Sequence, residues 1–314
     1  LMILNWIQAH LRCGVLDAVM VPVSRICDHG EVWILLAAIL LAIPKTRKLG
    51  TCVACGLALD LLFCNLALKP LIGRMRPFAV NPTVSLLIPP PVDASFPSGH
   101  TQNIVGTTAS IFASRKERWV RIVCAVLMVL VPFSRMYLGV HTPLDIGVAF
   151  LTALALAAAL YPAFRTEQAA KKTTPWILLG AAVLCGGYLV YASSLARCDW
   201  PAGSEDLANI THGLKNAYTM LGALLGFLIV YIADEKKLHF DVRAPFWGQV
   251  LKLVLGLALI VGIKAGLKPL LVALFAGSQA ESFVRYFLIV IFAGIVWPLS
   301  FPFFAKLGKK GSAA

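Results

Sequence analysis

Long apolar runs separated by short polar loops make up most of the chain. A membrane-spanning helix needs about 20 mainly apolar residues, and nine runs reach or approach that length. They fall near residues 31–44, 49–68, 98–114, 119–138, 142–162, 175–195, 214–233, 249–275 and 284–304. The pattern predicts an all-α integral membrane protein, folded as a multi-span helical bundle.

Composition and charge agree with this prediction. The chain is 59% hydrophobic and only 14% charged, whereas a soluble domain carries roughly 25% charged residues. The formal net charge is +13, from 28 Lys and Arg against 15 Asp and Glu. Most of the basic excess lies in short loops between apolar runs, which is typical of membrane topology. We find no nucleic-acid-binding motif and expect no nucleic-acid partner.

The basic loops also predict an orientation. They lie at 45–48, 115–118, 165–172, 236–243 and 306–310, all on one side if each apolar run crosses once. By the positive-inside tendency this side is cytoplasmic, and so is the C-terminus. Residues 69–97, 139–141, 196–213 and 276–283 then lie on the extracytoplasmic side.

The first 30 residues form a separate N-terminal region in this interpretation. Residues 1–11 repeat apolar positions at helical spacing and predict an amphipathic helix in the interface. They lack a basic start, so we expect no cleavable signal peptide. Residues 11–30 contain four charges that make a full crossing costly, so we predict an interfacial or partly inserted helix. The four are Arg12, Asp17, Arg25 and Asp28.

Three short motifs place charged side chains at the ends of predicted spans, where such groups are costly and usually functional. The motifs are Lys69–Pro77, Pro97–His100 and Ser134–Asp145, all on the predicted extracytoplasmic side. From them we assign three cations, two histidines and a carboxylate to one site: Lys69, Arg76, Arg135, His100, His141 and Asp145.

These residue types suit phosphoryl transfer. A phosphoryl group in transfer carries its charge on three oxygens, so catalysis depends on positioning and charge stabilisation. Arginine offers a planar fork to two oxygens and lysine a point charge. A lone cation at a helix end would more simply reach for lipid headgroups. Three cations beside two histidines favour a phosphate site.

The second motif predicts the start of a helix that can bind an anion. Pro97 cannot continue a helix from upstream, and Ser98 is a good N-cap. The free amides after it, at Gly99 and beyond, form an anion site. An ordinary N-cap in a proline-rich loop is compatible with the same residues.

The third motif contains a histidine and a carboxylate four residues apart. On one helix, His141 and Asp145 would share a face. Asp145 could then accept the Nδ1–H of His141 and leave Nε2 as the nucleophile. The alternative is a pair without chemistry, with Asp145 placed at the positive end of a helix.

The ordered motifs resemble those of the type 2 phosphatidic acid phosphatase superfamily. The shared pattern is Lys, six residues, Arg-Pro; then Pro-Ser-Gly-His; then Ser-Arg, five residues, His, three residues, Asp. The resemblance implies that His141 attacks phosphorus and becomes a phosphohistidine. It implies that His100 protonates the leaving oxygen and then activates water, with Asp145 supporting His141. The implied phosphate ligands are Lys69, Arg76, Arg135, Ser98 and Gly99.

The resemblance divides the chain into three parts. We predict an interfacial region at 1–30, a catalytic membrane core at 31–165, and a C-terminal extension of about four helices at 166–314, whose function the motifs do not explain. No acidic cluster near the motifs suits Mg²⁺, and Cys52 and Cys55 have no second pair to complete a zinc site. We therefore expect no metal or other cofactor.

The predicted function is hydrolysis of a lipid phosphate or diphosphate in the membrane. Polyprenyl diphosphate, phosphatidic acid, phosphatidylglycerol phosphate and lipid A phosphate remain candidate substrates, and the oligomeric state stays open. Two alternatives remain. One is a lipid phosphotransferase that uses the same site, and the other is a lipid transporter or flippase whose function lies in the C-terminal half.

Overall fold

The computed structural model describes residues 2–28, 30–91, 93–201 and 203–307, and its described residues contain helices and loops but no strand. The main helices are α1 (Met2–His10), α2 (Gly14–Asp28), α3 (Gly30–Ala42), α4 (Arg47–Leu61), α5 (Lys69–Ile72), α6 (Pro77–Val80), α7 (Gly99–Ser114), α8 (Arg118–Tyr137), α9 (Pro143–Leu160), α10 (Glu167–Leu195), α11 (Glu205–Ala233), α12 (Phe246–Leu274), α13 (Ala280–Ile291) and α14 (Phe301–Lys306). Single turns of 3₁₀ or π geometry extend several of these helices.

Seven helical segments among the described residues are long and apolar enough to cross a membrane: Pro44–Val80, Arg118–Tyr137, Pro143–Phe164, Glu167–Leu195, Asp206–Leu238, Phe246–Leu274 and Ala280–Lys306. They confirm the predicted all-α, multi-span membrane fold. Two further predicted spans correspond to α3 and α7, which have 13 and 16 residues. At 1.5 Å per residue, both are shorter than the roughly 30 Å hydrocarbon core.

The described residues form two compact units. The first comprises Leu1–Ile34, Cys52–Arg165 and Ala192–Gly213, and the second comprises Leu35–Thr51, Thr166–Tyr191 and Leu214–Ala314. The three sections predicted from the motifs remain a prediction. The C-terminus, which we predict to be cytoplasmic, lies outside the described residues.

In the first unit, α7 packs against both α8 and α9. Its buried face is unusually polar for a membrane protein. Gln102 donates a hydrogen bond to Asp60 (3.1 Å) and accepts one from Thr152 (3.0 Å). This network joins α4, α7 and α9 at one level, where a buried polar group without a partner would be costly. It therefore fixes the register of the helices whose ends carry the motifs.

The N-terminal helices belong to the same packing. Both α1 and α2 contact α8, and Ile7 and Met20 join a buried cluster with Tyr137 and Leu138. The Tyr137 hydroxyl donates to an Asp17 carboxylate oxygen at 2.6 Å. Asp17 is one of the four charges that make a full crossing by α2 costly, and it attaches this helix to the core.

The second unit packs α12 against α13 and α14. Gly222 of α11 lies against the α13 backbone, where an added Cβ would overlap the Phe283 carbonyl oxygen. Small residues allow such close helix contacts in membranes. Asp234 forms an ion pair with Arg47 and accepts a hydrogen bond from the Phe240 amide. These two contacts fix the loop after α11.

Candidate active site

A cavity of about 290 Å³ lies in the first unit, where the three motifs meet. Six of the eight predicted site residues line it: Lys69, Arg76, Gly99, His100, Arg135 and His141. The other two, Ser98 and Asp145, lie fully buried. The backbone amide of Ser98 donates to the carbonyl oxygen of Asp145 (3.2 Å). The structure therefore brings together residues that are up to 76 positions apart in sequence, from Lys69 to Asp145.

A sharp turn places Lys69 and Arg76, two of the three cations of the first motif, in the same cavity. The helix that contains Lys69 ends at Gly73, whose φ of 55° lies in the left-handed region. Glycine adopts this conformation without steric cost. Arg76 then precedes the short helix α6, with Pro77 at its first turn. Lys69 and Arg76 are both buried despite their charge.

Ser98 is the predicted N-cap of α7. Its hydroxyl accepts hydrogen bonds from the Thr101 amide (3.4 Å) and the Thr101 hydroxyl (3.0 Å). Gly99 and His100, in the first turn, line the cavity. The positive end of α7, with its free amides, thus contributes to the electrostatic field around the cavity.

The structure corrects one detail of the third motif. His141 does not share a helix face with Asp145, because α9 begins only at Pro143, with Thr142 as its N-cap. Thr142 has an extended conformation (φ −86°, ψ 163°), and proline favours the first helical position. The Asp145 carboxylate accepts a hydrogen bond from the Thr142 amide (2.7 Å), so the predicted helix-end role of Asp145 is present in the structure.

Ser95 lies between the histidine and the carboxylate. The closest approach of His141 Nδ1 to Asp145 is 3.8 Å, longer than a hydrogen bond. Ser95 Oγ lies 3.5 Å from Nδ1 and donates to Asp145 Oδ2 at 2.7 Å. Arg74 Nη1 donates to the other carboxylate oxygen at 3.0 Å. Sequence reasoning assigned neither Ser95 nor Arg74 to the site.

The other ring nitrogen of His141 faces a guanidinium. Arg76 Nη1 lies 3.4 Å from Nε2 and also donates to the Val140 carbonyl oxygen at 3.0 Å. An arginine can only donate hydrogen bonds, so this contact favours the tautomer with the proton on Nδ1 and a lone pair on Nε2. That tautomer is the one a nucleophilic histidine needs.

The surroundings of His141 also keep the ring neutral. Burial lowers its pKa, and the charges of Arg76, Arg135 and Lys69 lower it further, while the interaction with Asp145 acts in the opposite direction. The net effect holds the pKa of His141 well below its ordinary value. Near neutral pH the imidazole is therefore available as a nucleophile rather than protonated.

Asp93 is a site residue that sequence reasoning missed. Its carboxylate pairs with Lys69 and, at 2.6 Å, with Arg76 Nη2, while Arg76 Nε donates to its carbonyl oxygen at 2.8 Å. Burial alone would raise the pKa of Asp93, but the charges of Lys69 and Arg76 outweigh burial and hold the pKa well below its ordinary range. Asp93 therefore stays ionised between the two cations.

Helix α2 contributes to the cavity from the other end of the sequence. The guanidinium of Arg135 donates to the hydroxyl of Ser24, which is fully buried. The next residue, Arg25, is exposed and lines the cavity. We did not assign Arg25 to the site from sequence, although its cost within an apolar segment was a signal for function.

Ser95→Ala is expected to lower kcat about tenfold, a typical loss for a residue that orients a catalytic group. The change removes the hydroxyl that connects His141 to Asp145 and leaves both side chains in place. Turnover of a lipid phosphate by the purified variant measures this. Ser110→Ala removes another buried hydroxyl, which donates to the Gly106 carbonyl oxygen and does not line the cavity, and should have no such effect. Equal turnover by wild type and Ser95→Ala would contradict the role of Ser95.

The residues of the site suit phosphate better than a metal ion. Among the residues that the structure describes, no group of three His, Cys, Asp or Glu side chains could hold a metal. The charged groups that line the cavity are mostly cations, which attract anions. Metal-independent chemistry stays a prediction for assays with a chelator.

Comparison with known proteins agrees with the geometry. A model of the PAP2 superfamily matches residues 49–169, and one described as "PAP2 superfamily phosphatase, transmembrane extension" matches residues 218–310. The first match covers all three motifs. The second falls on the C-terminal helices that the motifs left unexplained, and it supports the prediction of extra C-terminal transmembrane helices.

Three curated relatives are named as diphosphatases or phosphatases of lipids. The chain is 39% identical over 141 residues to an undecaprenyl-diphosphatase of Sulfolobus acidocaldarius. This alignment covers 45% of this chain and 66% of that protein. It is 32% identical over 146 residues to the undecaprenyl-diphosphatase BcrC of Bacillus subtilis, covering 45% and 71%. It is 30% identical over 129 residues to the lipid A 4'-phosphatase of Bacteroides thetaiotaomicron, covering 37% and 56%. These matches, together with the ordered motifs and the cavity they form, confirm the predicted family: the chain belongs to the PAP2 superfamily of membrane phosphatases.

Proposed function

We propose that this protein hydrolyses the terminal phosphate of a lipid phosphate or diphosphate through a phosphohistidine at His141. The observation that carries the proposal is the position of His141, whose Nε2 contacts Arg76 (3.4 Å) in a cavity also lined by Lys69, Arg135 and His100. A nucleophile, a proton donor and three cations thus surround one space. Two of the relatives above are named as undecaprenyl-diphosphatases and one as a lipid A phosphatase.

The first chemical step transfers the phosphoryl group to the enzyme. The Nε2 lone pair of His141 attacks phosphorus while the bond from phosphorus to the leaving oxygen breaks. The leaving oxygen takes the bond's electron pair and receives a proton from His100. Lys69, Arg76 and Arg135 bind the three equatorial oxygens and stabilise their charge in the transition state.

The second step returns the enzyme to its starting state. His100, now neutral, accepts a proton from a water molecule as that water attacks phosphorus. The bond between phosphorus and Nε2 breaks, and its electron pair returns to the ring. Phosphorylation places positive charge on His141, which Asp145 can stabilise through Ser95. Inorganic phosphate then leaves the cavity.

We place the cavity on the extracytoplasmic face of the membrane. The five basic loops support this orientation, because they all fall on the opposite side from the motifs. The cavity lies at the ends of apolar helices, so a lipid headgroup can enter it while its chain stays in the bilayer. A polyprenyl diphosphate fits this description, and the names of two relatives favour it over phosphatidic acid, phosphatidylglycerol phosphate and lipid A phosphate.

Phosphate release by purified protein in detergent, with EDTA present, tests the proposal. We expect release from at least one member of a panel of lipid phosphates and diphosphates, with polyprenyl diphosphate as the best substrate. The same assay with a second lipid as acceptor distinguishes hydrolysis from phosphotransfer, since a transferase would release little inorganic phosphate. No phosphorylated product and no release from any lipid, with the protein folded, would overturn the proposal. Lipid translocation in vesicles would then become the function to measure.

A further inference from the structure

Arg25 is the one cation among the described lining residues that the mechanism above does not use. It comes from α2, outside the three motifs, and lines the same cavity as His141. We infer that Arg25 binds the second, non-reacting phosphate of a lipid diphosphate and so makes the site prefer diphosphates over monophosphates. This inference rests on the proposed function and deepens it.

The cavity is large enough to hold a second phosphate group. Its volume is about 290 Å³, which corresponds to roughly ten water molecules at about 30 Å³ each. A single phosphate group has five non-hydrogen atoms and a diphosphate group has nine, so even a diphosphate group is smaller than this space. The cavity is therefore larger than the reacting phosphate alone requires.

The charge of the cavity points in the same direction. The charged side chains among its described lining residues are Arg25, Lys69, Arg76, Arg135 and one carboxylate, Asp93. With His141 neutral and His100 carrying the proton that it donates in the mechanism, this gives an excess of four positive charges. A terminal phosphate carries about −1.5 to −2 at pH 7, and the inner phosphate of a diphosphate adds one more negative charge. A diphosphate therefore matches the cavity more closely than a monophosphate.

The positions of the cations suggest a division of roles. Lys69 and Arg76 share Asp93, and Arg76 contacts His141, so these two bind the reacting phosphate together with Arg135, as proposed above. Arg135 is held by Ser24 of α2, and Arg25 is the next residue on that helix. A second anionic group that lies beside Arg135 and away from His141 would therefore meet Arg25.

Helix α2 is fixed well enough to hold a specificity residue in place. The Ser24 contact with Arg135 joins it to α8 at one end, and the hydrogen bond from Tyr137 to Asp17 joins it nearer the other end. Met20, between these two points, packs in the buried cluster. Arg25 itself is exposed, so its replacement should leave this packing intact.

Kinetics on a matched pair of substrates test the inference. Geranylgeranyl diphosphate and geranylgeranyl monophosphate share one chain and differ only in the second phosphate. In Arg25→Gln, we expect the ratio of kcat/KM for diphosphate to kcat/KM for monophosphate to fall about tenfold or more, as for the loss of a charged hydrogen bond. Arg25→Lys keeps the charge and should restore part of the ratio. An unchanged ratio in Arg25→Gln, or an equal loss on both substrates, would overturn the inference.

A binding measurement separates this inference from the proposed function. Inorganic pyrophosphate and inorganic phosphate are titrated into His141→Ala protein, with and without Arg25→Gln. We expect Arg25→Gln to weaken pyrophosphate binding about tenfold more than phosphate binding. That result supports the second-phosphate site even if wild type hydrolyses neither lipid, which would overturn only the proposed function. Equal weakening of both anions, or none, overturns the site itself.

Arg197 offers a matched control. It is an exposed arginine of the same unit and does not line the cavity. Arg197→Gln removes the same charge from the protein as Arg25→Gln does. It should change neither the substrate ratio nor the binding of pyrophosphate. A change as large as that in Arg25→Gln would show that net charge, rather than a contact with Arg25, sets the preference, and would overturn the inference.

Discussion

His141→Ala is expected to lower kcat for phosphate release by about 10⁴-fold or more, the scale of loss typical when a covalent nucleophile is removed. In the proposed mechanism its Nε2 is the atom that bonds to phosphorus, and the surrounding cations cannot replace it. The side chain is almost fully buried (1% exposed), so alanine also leaves a small void, but the capping of α9 by Thr142 does not depend on the imidazole. Kinetics and circular dichroism on the same sample separate lost chemistry from lost structure.

A trapping experiment makes this prediction sharper. Wild-type protein mixed with substrate labelled at the terminal phosphate and quenched in base should retain label, because phosphohistidine is stable in base and labile in acid. His141→Ala should retain none. His212→Ala serves as a control, since His212 is exposed on α11 and does not line the cavity. Turnover by His141→Ala above about one tenth of the wild-type rate would show that another residue carries the nucleophile.

Arg76→Ala is expected to lower kcat by about 10²–10³-fold, the usual loss for one charge-stabilising donor. This side chain has more than one role in the site. It contacts the nucleophile at Nε2, donates to the Val140 carbonyl oxygen just before His141, and holds Asp93 with two further nitrogens. Its loss removes a phosphate ligand and also the donor that favours the reactive tautomer of His141.

Arg76→Lys tests whether charge alone is sufficient. Lysine keeps the charge but loses the planar fork that reaches two partners at once, so we expect less than about a tenth of wild-type kcat. Arg115→Ala is the control, because Arg115 pairs with Glu117 at the surface beside α8 and should leave kcat unchanged. Near-normal turnover by Arg76→Ala would remove Arg76 from the site.

Much of the site follows from sequence because its chemistry is concentrated in three contiguous motifs. The apolar runs predict helices, and the motifs lie at their ends, so the helical bundle brings them together. Lys69, Arg76, His100, Arg135 and His141 line one cavity as this reasoning requires. Ser98 caps α7 because a serine hydroxyl can accept a hydrogen bond from a free amide at the start of a helix. These predictions depend on interactions between residues close in sequence, which can be read from the sequence directly.

The residues that sequence reasoning missed depend on tertiary contacts instead. Asp93 lies in a proline-rich loop without periodicity, so no pattern indicates that it meets Lys69 and Arg76. Ser95 is a common loop residue whose position between His141 and Asp145 follows only from the fold. The predicted shared helix face of the last two was wrong because Pro143 starts the helix after His141. Periodicity locates helices better than it locates their first residue.

The contact of Asp93 with Lys69 and Arg76 has a consequence for how turnover proceeds. Two cations of the site already pair with a carboxylate, so an incoming phosphate exchanges with that carboxylate for its contacts with them. The affinity for a substrate then reflects the difference between the ion pairs of the cations with phosphate and their ion pairs with Asp93. Strong contacts with phosphate therefore do not have to make the release of product slow. Because the two cations keep Asp93 ionised, its carboxylate is ready to return as product phosphate departs. Asp93 thus competes with phosphate for the same two cations from within the protein, on the loop that forms one wall of the site.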